Sequence, residues 1–263
     1  MLQQLQTAFP LLFNFSLLDE YGARLVSGLI ITLKVVGLSC GLGFVLAYPI
    51  CRARMSKNWL LSKAALCYVT FFRGTPLLCQ LYLVYYGAGE IRPELTSVGL
   101  WVFFREAYFC CIFAFTLNTA AYQSEILRGA LTAVPKGQIE AAKALGLSGW
   151  AIARHVVWPQ AILVAVRPLG NELISMVKAS ALAAIVTMLD LMGQTRFVFS
   201  RTFDFSVYLY CAIIYLVMTE TIRRLLLAVE TVFSRHLLAG RAVVVQETRG
   251  SFLKKRTKKL LTG

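Results

Sequence analysis

Acidic residues are scarce in this chain of 263 residues: 13 Asp and Glu stand against 27 Lys and Arg, and charged residues make up only 15% of the whole. A soluble globular domain carries about a quarter charged residues. A chain that is 58% hydrophobic, with a mean hydropathy of +0.66, has too little charge to wet such a surface, so the soluble class is excluded. Histidine is nearly absent too. His155 and His236 stand too far apart in sequence to read as a metal site. The seven cysteines, at 40, 51, 67, 79, 110, 111 and 211, form no C-x-x-C pair and fall mostly in apolar runs, where cysteine behaves as a small hydrophobe. No disulfide framework or metal is expected. Also missing are a G-x-x-x-x-G-K-[ST] phosphate loop, a dinucleotide glycine fingerprint and a Ser-His-Asp spacing. The chain is therefore expected to catalyse no covalent chemistry and to hold no cofactor of its own; any ATP and Mg must be bound by another chain.

What the sequence has instead is long apolar runs. A helical span needs about 20 mostly apolar residues, and five stretches satisfy this: 24–50, 59–87, 107–131, 156–190 and 205–233. The fold class is thus all-α integral membrane with five transmembrane helices. Pro168, Gly170 and Asn171 are expected to break the long fourth stretch, and Arg73, Gly74 and Pro76 to shape a kink in the second. Tyr82, Tyr85 and Tyr86 read as an interfacial belt. The segment after the first span carries Arg52, Arg54, Lys57 and Lys63 without an acid, whereas 87–106 balances Arg92 and Arg105 against Glu90, Glu94 and Glu106. The first loop is therefore cytoplasmic. Residues 1–22 then form an external, periplasmic N-terminal segment, 23–235 the membrane domain and 236–263 a basic cytoplasmic tail. Residues 1–16 lack a basic n-region and a small-residue cleavage site, so the first span is expected to stay in the mature protein. The cluster Lys254, Lys255, Arg256, Lys258 and Lys259 suits anionic lipid headgroups. No aromatic stacking platform accompanies it, so no nucleic acid is expected.

Ionisable groups inside a membrane cost about 2.5 to 3.5 kcal/mol each at its centre and face protein or a water-filled path. Arg73, Glu125, Arg167, Glu172, Lys178 and Glu220 are of this kind. Glu125 shares a helical face with Asn118, Ala121, Tyr122 and Arg128, and Glu172 adjoins Asn171 one turn past Pro168. The candidates for a polar solute path are Glu125, Tyr122, Asn118, Asn171, Glu172, Lys178 and Ser180. A purely structural role is open beside it: Glu125 pairing with Arg128 or Arg73, and Glu172 with Lys178 or Arg167.

Between the third and fourth spans lies GQIEAAKALGLSGWAIARHVVWP, residues 137–159. Ile139, Ala142 and Ala144 to Leu147 give a small apolar face at helical spacing, and Gly146 supplies a turn that a Cβ resists. Glu140 is expected near the start of a short helix, where the helix dipole favours a carboxylate and a partner's Arg could meet it; plain capping is its other role. Ser148 and Gly149 are expected to end this first helix before Trp150 begins the next. Glu140, Ala141, Ala142, Gly146, Leu147 and Ser148, with Pro159 downstream, resemble the EAA loop of bacterial ABC-importer permeases, although Val156 and Trp158 stand where that family usually has Ile and Leu. FFRGTPLLCQLYLVYYG (71–87), LNTAAYQSEILRGAL (117–131) and RPLGNELISMVKASAL (167–182) resemble segments of the polar amino acid permeases, in the histidine/lysine/arginine/ornithine-type branch close to the opine permeases.

That resemblance implies a methionine-importer-type core with cytoplasmic coupling helices in the bacterial inner membrane. It also implies a second permease chain, either a paralogue or a copy, together with two ATP-binding cassette ATPases and a periplasmic solute-binding protein. The expected function is the permease subunit of an ATP-driven importer for polar, cationic amino acids or opines, coupled through the 137–159 loop. A passive channel or membrane scaffold, with the loop as a mere connector, is the rival from another class. A non-cationic cargo is the rival within the same class, since Lys178, Arg73 and Arg167 lie in the same spans as Glu125 and Glu172.

Overall fold

The computed structural model describes residues 14–231, and every regular element among them is a helix. The basic cluster at 254–259 and most of the N-terminal segment lie outside the described residues. Helix α1 (Ser16–Arg54) is 39 residues long, about 58 Å at 1.5 Å per residue. It is followed by α2 (Trp59–Gly74), α3 (Leu77–Glu90), and the short α4 (Arg92–Ser97) and α5 (Trp101–Phe104). Next come α6 (Ala107–Thr132), α7 (Lys136–Ala144) and α8 (Gly149–Ile152). A π turn (Ala153–Val157) leads into α9 (Trp158–Ala179), which tightens into a 3₁₀ turn (Ser180–Val186) before α10 (Leu191–Thr202). A last helix, α11, occupies 206–231. By length and composition, two helical stretches, Ser16–Arg54 and Gly149–Val186, each suffice to cross a membrane.

The central joint is α1 against α6. Gly28, Thr32, Val36, Ser39, Gly43, Ala47 and Cys51 of α1 are all buried, and their spacing of three or four residues puts them on one stripe. Most are small, as are the buried Ala114, Thr119, Ala120, Ala121 and Ser124 of α6. Small residues let two helices approach closely where lipid offers no hydrophobic drive to pack them. Gly43 marks the tightest approach along this seam: a Cβ there would stand 2.4 Å from Thr119 Cγ2 and 3.3 Å from the Ala120 nitrogen. The larger buried side chains, including Val35, Leu81, Phe115, Met176, Val177 and Val186, fill the space between α1, α3, α6 and α9. Ala47, Leu127, Ala130, Val134 and Ala161 close the end beside the 137–159 loop.

The stretch expected as one second span is two helices. Asn58 Oδ1 caps α2 by accepting from the Leu60 and Leu61 N–H groups at 3.0 and 3.4 Å. The helix stops at Gly74 because Pro76 has no N–H to continue the ladder and disfavours a helical residue before it. Carbonyls freed by this break are satisfied by side chains. The Gln80 amide donates to Phe72 O at 2.9 Å and to Thr75 Oγ1 at 2.8 Å, and the Asn118 amide donates to Phe72 O at 3.1 Å.

The break expected around Pro168 in the fourth stretch is not there. Pro168 lies inside α9, which runs unbroken from Trp158 to Ala179. A proline removes one helical hydrogen bond, and packing by neighbouring helices holds the rest of the ladder together. The α-helical path ends later, at Ser180, and the chain reverses at Thr187, whose φ is +63°. There α10 begins, fixed to α1 by one bond and capped by another: Thr32 Oγ1 of α1 accepts the Leu191 N–H at 3.0 Å, and the N-cap Asp190 Oδ1 accepts the Gly193 N–H at 2.9 Å. These satisfy two of the donors that a helix N-terminus leaves open.

Candidate coupling loop and polar pathway

The 137–159 loop is an elbow of two short helices. Gly146, with φ +76°, closes α7: its N–H donates to Lys143 O at 2.9 Å and the Leu147 N–H donates to Ala142 O at 3.2 Å. This pair of bonds is the Schellman termination, which needs a left-handed residue at its centre. It ends the first helix at Ala144 rather than at the expected Ser148 and Gly149. Ser148 instead caps the second helix, its Oγ accepting the Ala151 N–H at 3.3 Å. Glu140 is exposed and sits mid-helix, beyond the first turn, so the expected dipole and capping role does not apply to it. Of the expected apolar face, Ala142 is buried and Ile139 packs against the cluster that holds Leu127, Ala130 and Val134. Leu145 is 79% exposed, Leu147 is exposed as well, and Trp150 is 68% exposed. Arg154 stacks on the Trp150 ring at 5.2 Å. The elbow is tied to the long α9 by the Gln160 amide, which donates to Gln138 Oε1 at 2.5 Å.

The membrane-facing candidates separate by their partners. Glu125 accepts from Arg128 Nη2 at 2.8 Å and from Arg54 Nε at 3.1 Å. The expected alternative partner, Arg73, lies instead over the Tyr122 ring at 5.2 Å, a cation–π contact, and the Tyr122 hydroxyl reaches Arg73 O at 3.5 Å. Glu172 pairs with neither Lys178 nor Arg167. Arg167 takes Glu230 of α11 at 2.6 Å, and Glu172 accepts one hydrogen bond, from Thr119 Oγ1 at 3.1 Å. Asn118 and Ser180 are buried and spent internally, Asn118 on Phe72 and Gln80, Ser180 on Val177 O at 2.7 Å. They act as packing joints in this conformation. Asn171 and Lys178 are exposed. The Tyr85 and Tyr86 rings meet edge to face at 5.1 Å, and the Tyr82 and Tyr86 rings lie tilted at 5.4 Å.

Sequence reasoning missed Arg54 and Thr119 as partners of the two glutamates, and Gln138 as the tether of the elbow. Along the sequence Arg54 reads only as topology charge. Its pairing with a residue 71 positions away leaves no local signal, because spacing rules reach only along one helix.

Apolar helices joined along small-residue seams, carboxylates held between them, and a short exposed elbow on one side define a helical transport component of a membrane. The model for binding-protein-dependent transport system inner membrane components matches residues 39–234, and the chain belongs to that family. It is 39% identical over 227 residues to the nopaline transport system permease protein of Agrobacterium fabrum, covering 86% of this chain and 94% of that one. Among solved structures it resembles an amino acid ABC transporter crystallised with histidines, with a TM-score of 0.74 and 35% identity, over 83% of this chain and 98% of the other. An inward-facing methionine ABC transporter shares the fold at a TM-score of 0.67 and 21% identity, over 82% and 98% of the two chains. The relatives are permease subunits, not enzymes.

Proposed function

We propose that the chain is the permease subunit of an ATP-driven importer for polar, cationic amino acids or opines, and that it converts ATPase motion into alternating access through residues 137–159. In this reading five spans cross the bacterial inner membrane, the N-terminal segment 1–22 is periplasmic and the tail 236–263 is cytoplasmic. A second permease chain completes the path, a periplasmic binding protein delivers the solute, and two cassette ATPases carry ATP and Mg. The observation that carries the reading is the elbow itself. Two bulky apolar side chains, Leu145 and Trp150, stand in the open on either side of Gly146, a costly exposure unless a partner's groove covers them. The Gln138–Gln160 bond gives a push on that elbow a direct route into α9. Helix α9 also carries Glu172, and α6, which packs against it, carries Tyr122 under Arg73, so movement of α9 reshapes the polar path. The cationic preference rests on Glu172, whose carboxylate accepts from Thr119 and forms no ion pair among the described residues, Arg73 acting on it only at a distance.

The test is to replace the elbow residues in the assembled importer. Gly146→Ala forces a left-handed L-residue at roughly 1 to 2 kcal/mol, and no neighbour lies within 4 Å of the added methyl, so the change acts on the backbone alone. ATP-dependent uptake is expected to fall while the permease still assembles in the membrane, and Trp150→Glu is expected to release the ATPase on purification. Full uptake in both variants would refute the coupling role.

A further inference from the structure

Helices α9 and α11 meet antiparallel, and two contacts set their register: Arg167 Nη2 donates to Glu230 at 2.6 Å, and a Cβ on Gly170 would stand 2.7 Å from Leu226 Cδ1. From the Arg167–Glu230 pair, polar residues continue along both helices on the same side of the joint. On α9, Asn171, Ser175 and Lys178 follow Arg167 at intervals of three or four, and all are exposed. On α11, Arg223 lies two turns before Glu230 and Glu220 three residues earlier, the two joined at 2.7 Å with side chains 55% and 35% exposed. Ten residues separate Glu220 from Glu230 and eleven Arg167 from Lys178, so this polar face is about 15 Å tall, half of a hydrocarbon core of about 30 Å.

Snorkelling accounts for charges near helix ends, but Glu220 and Arg223 stand in the middle of the 206–231 helix. The outer face of α1 is different. Its residues 25–51 carry a single charge, Lys34, and expose Ile30, Leu33, Leu38, Leu42 and Val45, a surface suited to lipid. Against the α9 and α11 face, a second protein surface would have to strip water from Arg167 and Arg223, which already have their carboxylates, and so would add desolvation without a new counter-charge. Water solvates them as they stand.

Building on the proposed importer function, in which α9 and α11 are spans, we infer that the side of the chain shared by these two helices is a wall of the water-filled solute path. Glu172 borders this wall, one turn before Ser175. Leu216, one turn before Glu220 and 67% exposed, then faces water in spite of its apolar side chain.

The test is thiol accessibility in the whole permease–ATPase complex in nanodiscs, with Ser175→Cys and Leu216→Cys on the wall and Val45→Cys on the apolar face of α1 as control. The probe is 2-sulfonatoethyl methanethiosulfonate, a charged reagent that hydrocarbon excludes. Modified peptides are read by mass spectrometry, so that the native Cys67 and Cys79, both exposed, are scored apart. A thiol reacts as its thiolate, which forms in water, so Ser175→Cys and Leu216→Cys are expected to react at least about tenfold faster than Val45→Cys. Lys178→Cys takes the place of either variant if it fails to assemble. Three results would overturn the assignment: one slow rate at all three positions; modification of the two wall positions by lipid-permeable N-ethylmaleimide alone, which would give the face to lipid; or an oxidative cross-link from Leu216→Cys to the second permease chain without modification, which would make it a protein seam. ATP-dependent uptake by the complete system is measured in parallel. Uptake that persists while both wall thiols stay shielded sinks the wall and leaves the importer standing, whereas open thiols without ATP-dependent uptake support the wetted face and sink the importer.

Discussion

Arg54 at the end of α1 donates to Glu125 of α6 at 3.1 Å, although 71 residues separate them. Arg128 takes the other oxygen of the same carboxylate at 2.8 Å, so one acid holds two guanidiniums at the end of the α1–α6 seam. The Glu125 side chain is 14% exposed and that of Arg54 17%, so water screens them little and replaces them poorly. Glu125→Gln leaves two half-buried cations facing each other. It is expected to cost roughly 1 to 3 kcal/mol, read as a lower unfolding temperature of the purified complex. A double-mutant cycle with Arg54→Gln should return a coupling energy of at least about 0.5 kcal/mol. Additive losses would mean that the two side chains are merely neighbours.

Gly43 controls Glu172 at one remove. A methyl group at Gly43 would collide with Thr119 Cγ2 at 2.4 Å, and Thr119 is β-branched, with little freedom about its first side-chain bond. Its hydroxyl is the hydrogen bond that Glu172 accepts. Gly43→Ala is therefore expected to destabilise by about 1 to 3 kcal/mol through overpacking and to impair uptake by turning that hydroxyl away. Adding Thr119→Ser, which removes Cγ2 and keeps the hydroxyl, should recover both stability and uptake. Uptake that stays low after stability returns would place the defect elsewhere on the seam.

Outside the spans, Asn14 Nδ2 donates to Asp204 Oδ2 at 2.9 Å and the Ser206 N–H donates to Oδ1 at 2.8 Å. Led by the Asn14 bond, these hold the Asp204 carboxyl below its ordinary range. A depressed folded-state value means that the stabilisation is present above the unfolded value of about 3.9 and disappears as pH falls through the lower folded value. Asn14→Ala should lower the unfolding temperature slightly at neutral pH, by about 2 °C or less for a half-buried pair near the surface. The gap between variant and wild type should close as the pH drops below about 4. A gap that is constant with pH would show that the bond is indifferent to the charge on Asp204.

Much of this molecule was legible along the chain because membranes and helices impose local rules. Apolar runs announced the helices, and Gly146 announced a left-handed turn, since only a residue without Cβ takes that φ freely. Gly74 and Pro76 marked an interruption that the backbone carries out. Pro168 misled because a proline's effect depends on whether neighbouring helices hold the turns on either side of it. Glu140 misled because the helix it sits on begins at Lys136, which leaves it past the reach of the dipole.

Sequence by itself determined the solvent of this protein, its helical class and the position of its elbow, because hydropathy, spacing and turn chemistry act over a few residues. Only the tertiary structure decided which charge meets which: Arg54 rather than Arg73 beside Glu125, Thr119 rather than Lys178 or Arg167 beside Glu172, and Glu230 beside Arg167. Pairing is a matter of distance in space. That distance is set by how the helices pack, most closely α1 and α6 along their small-residue seam, not by any interval along the chain.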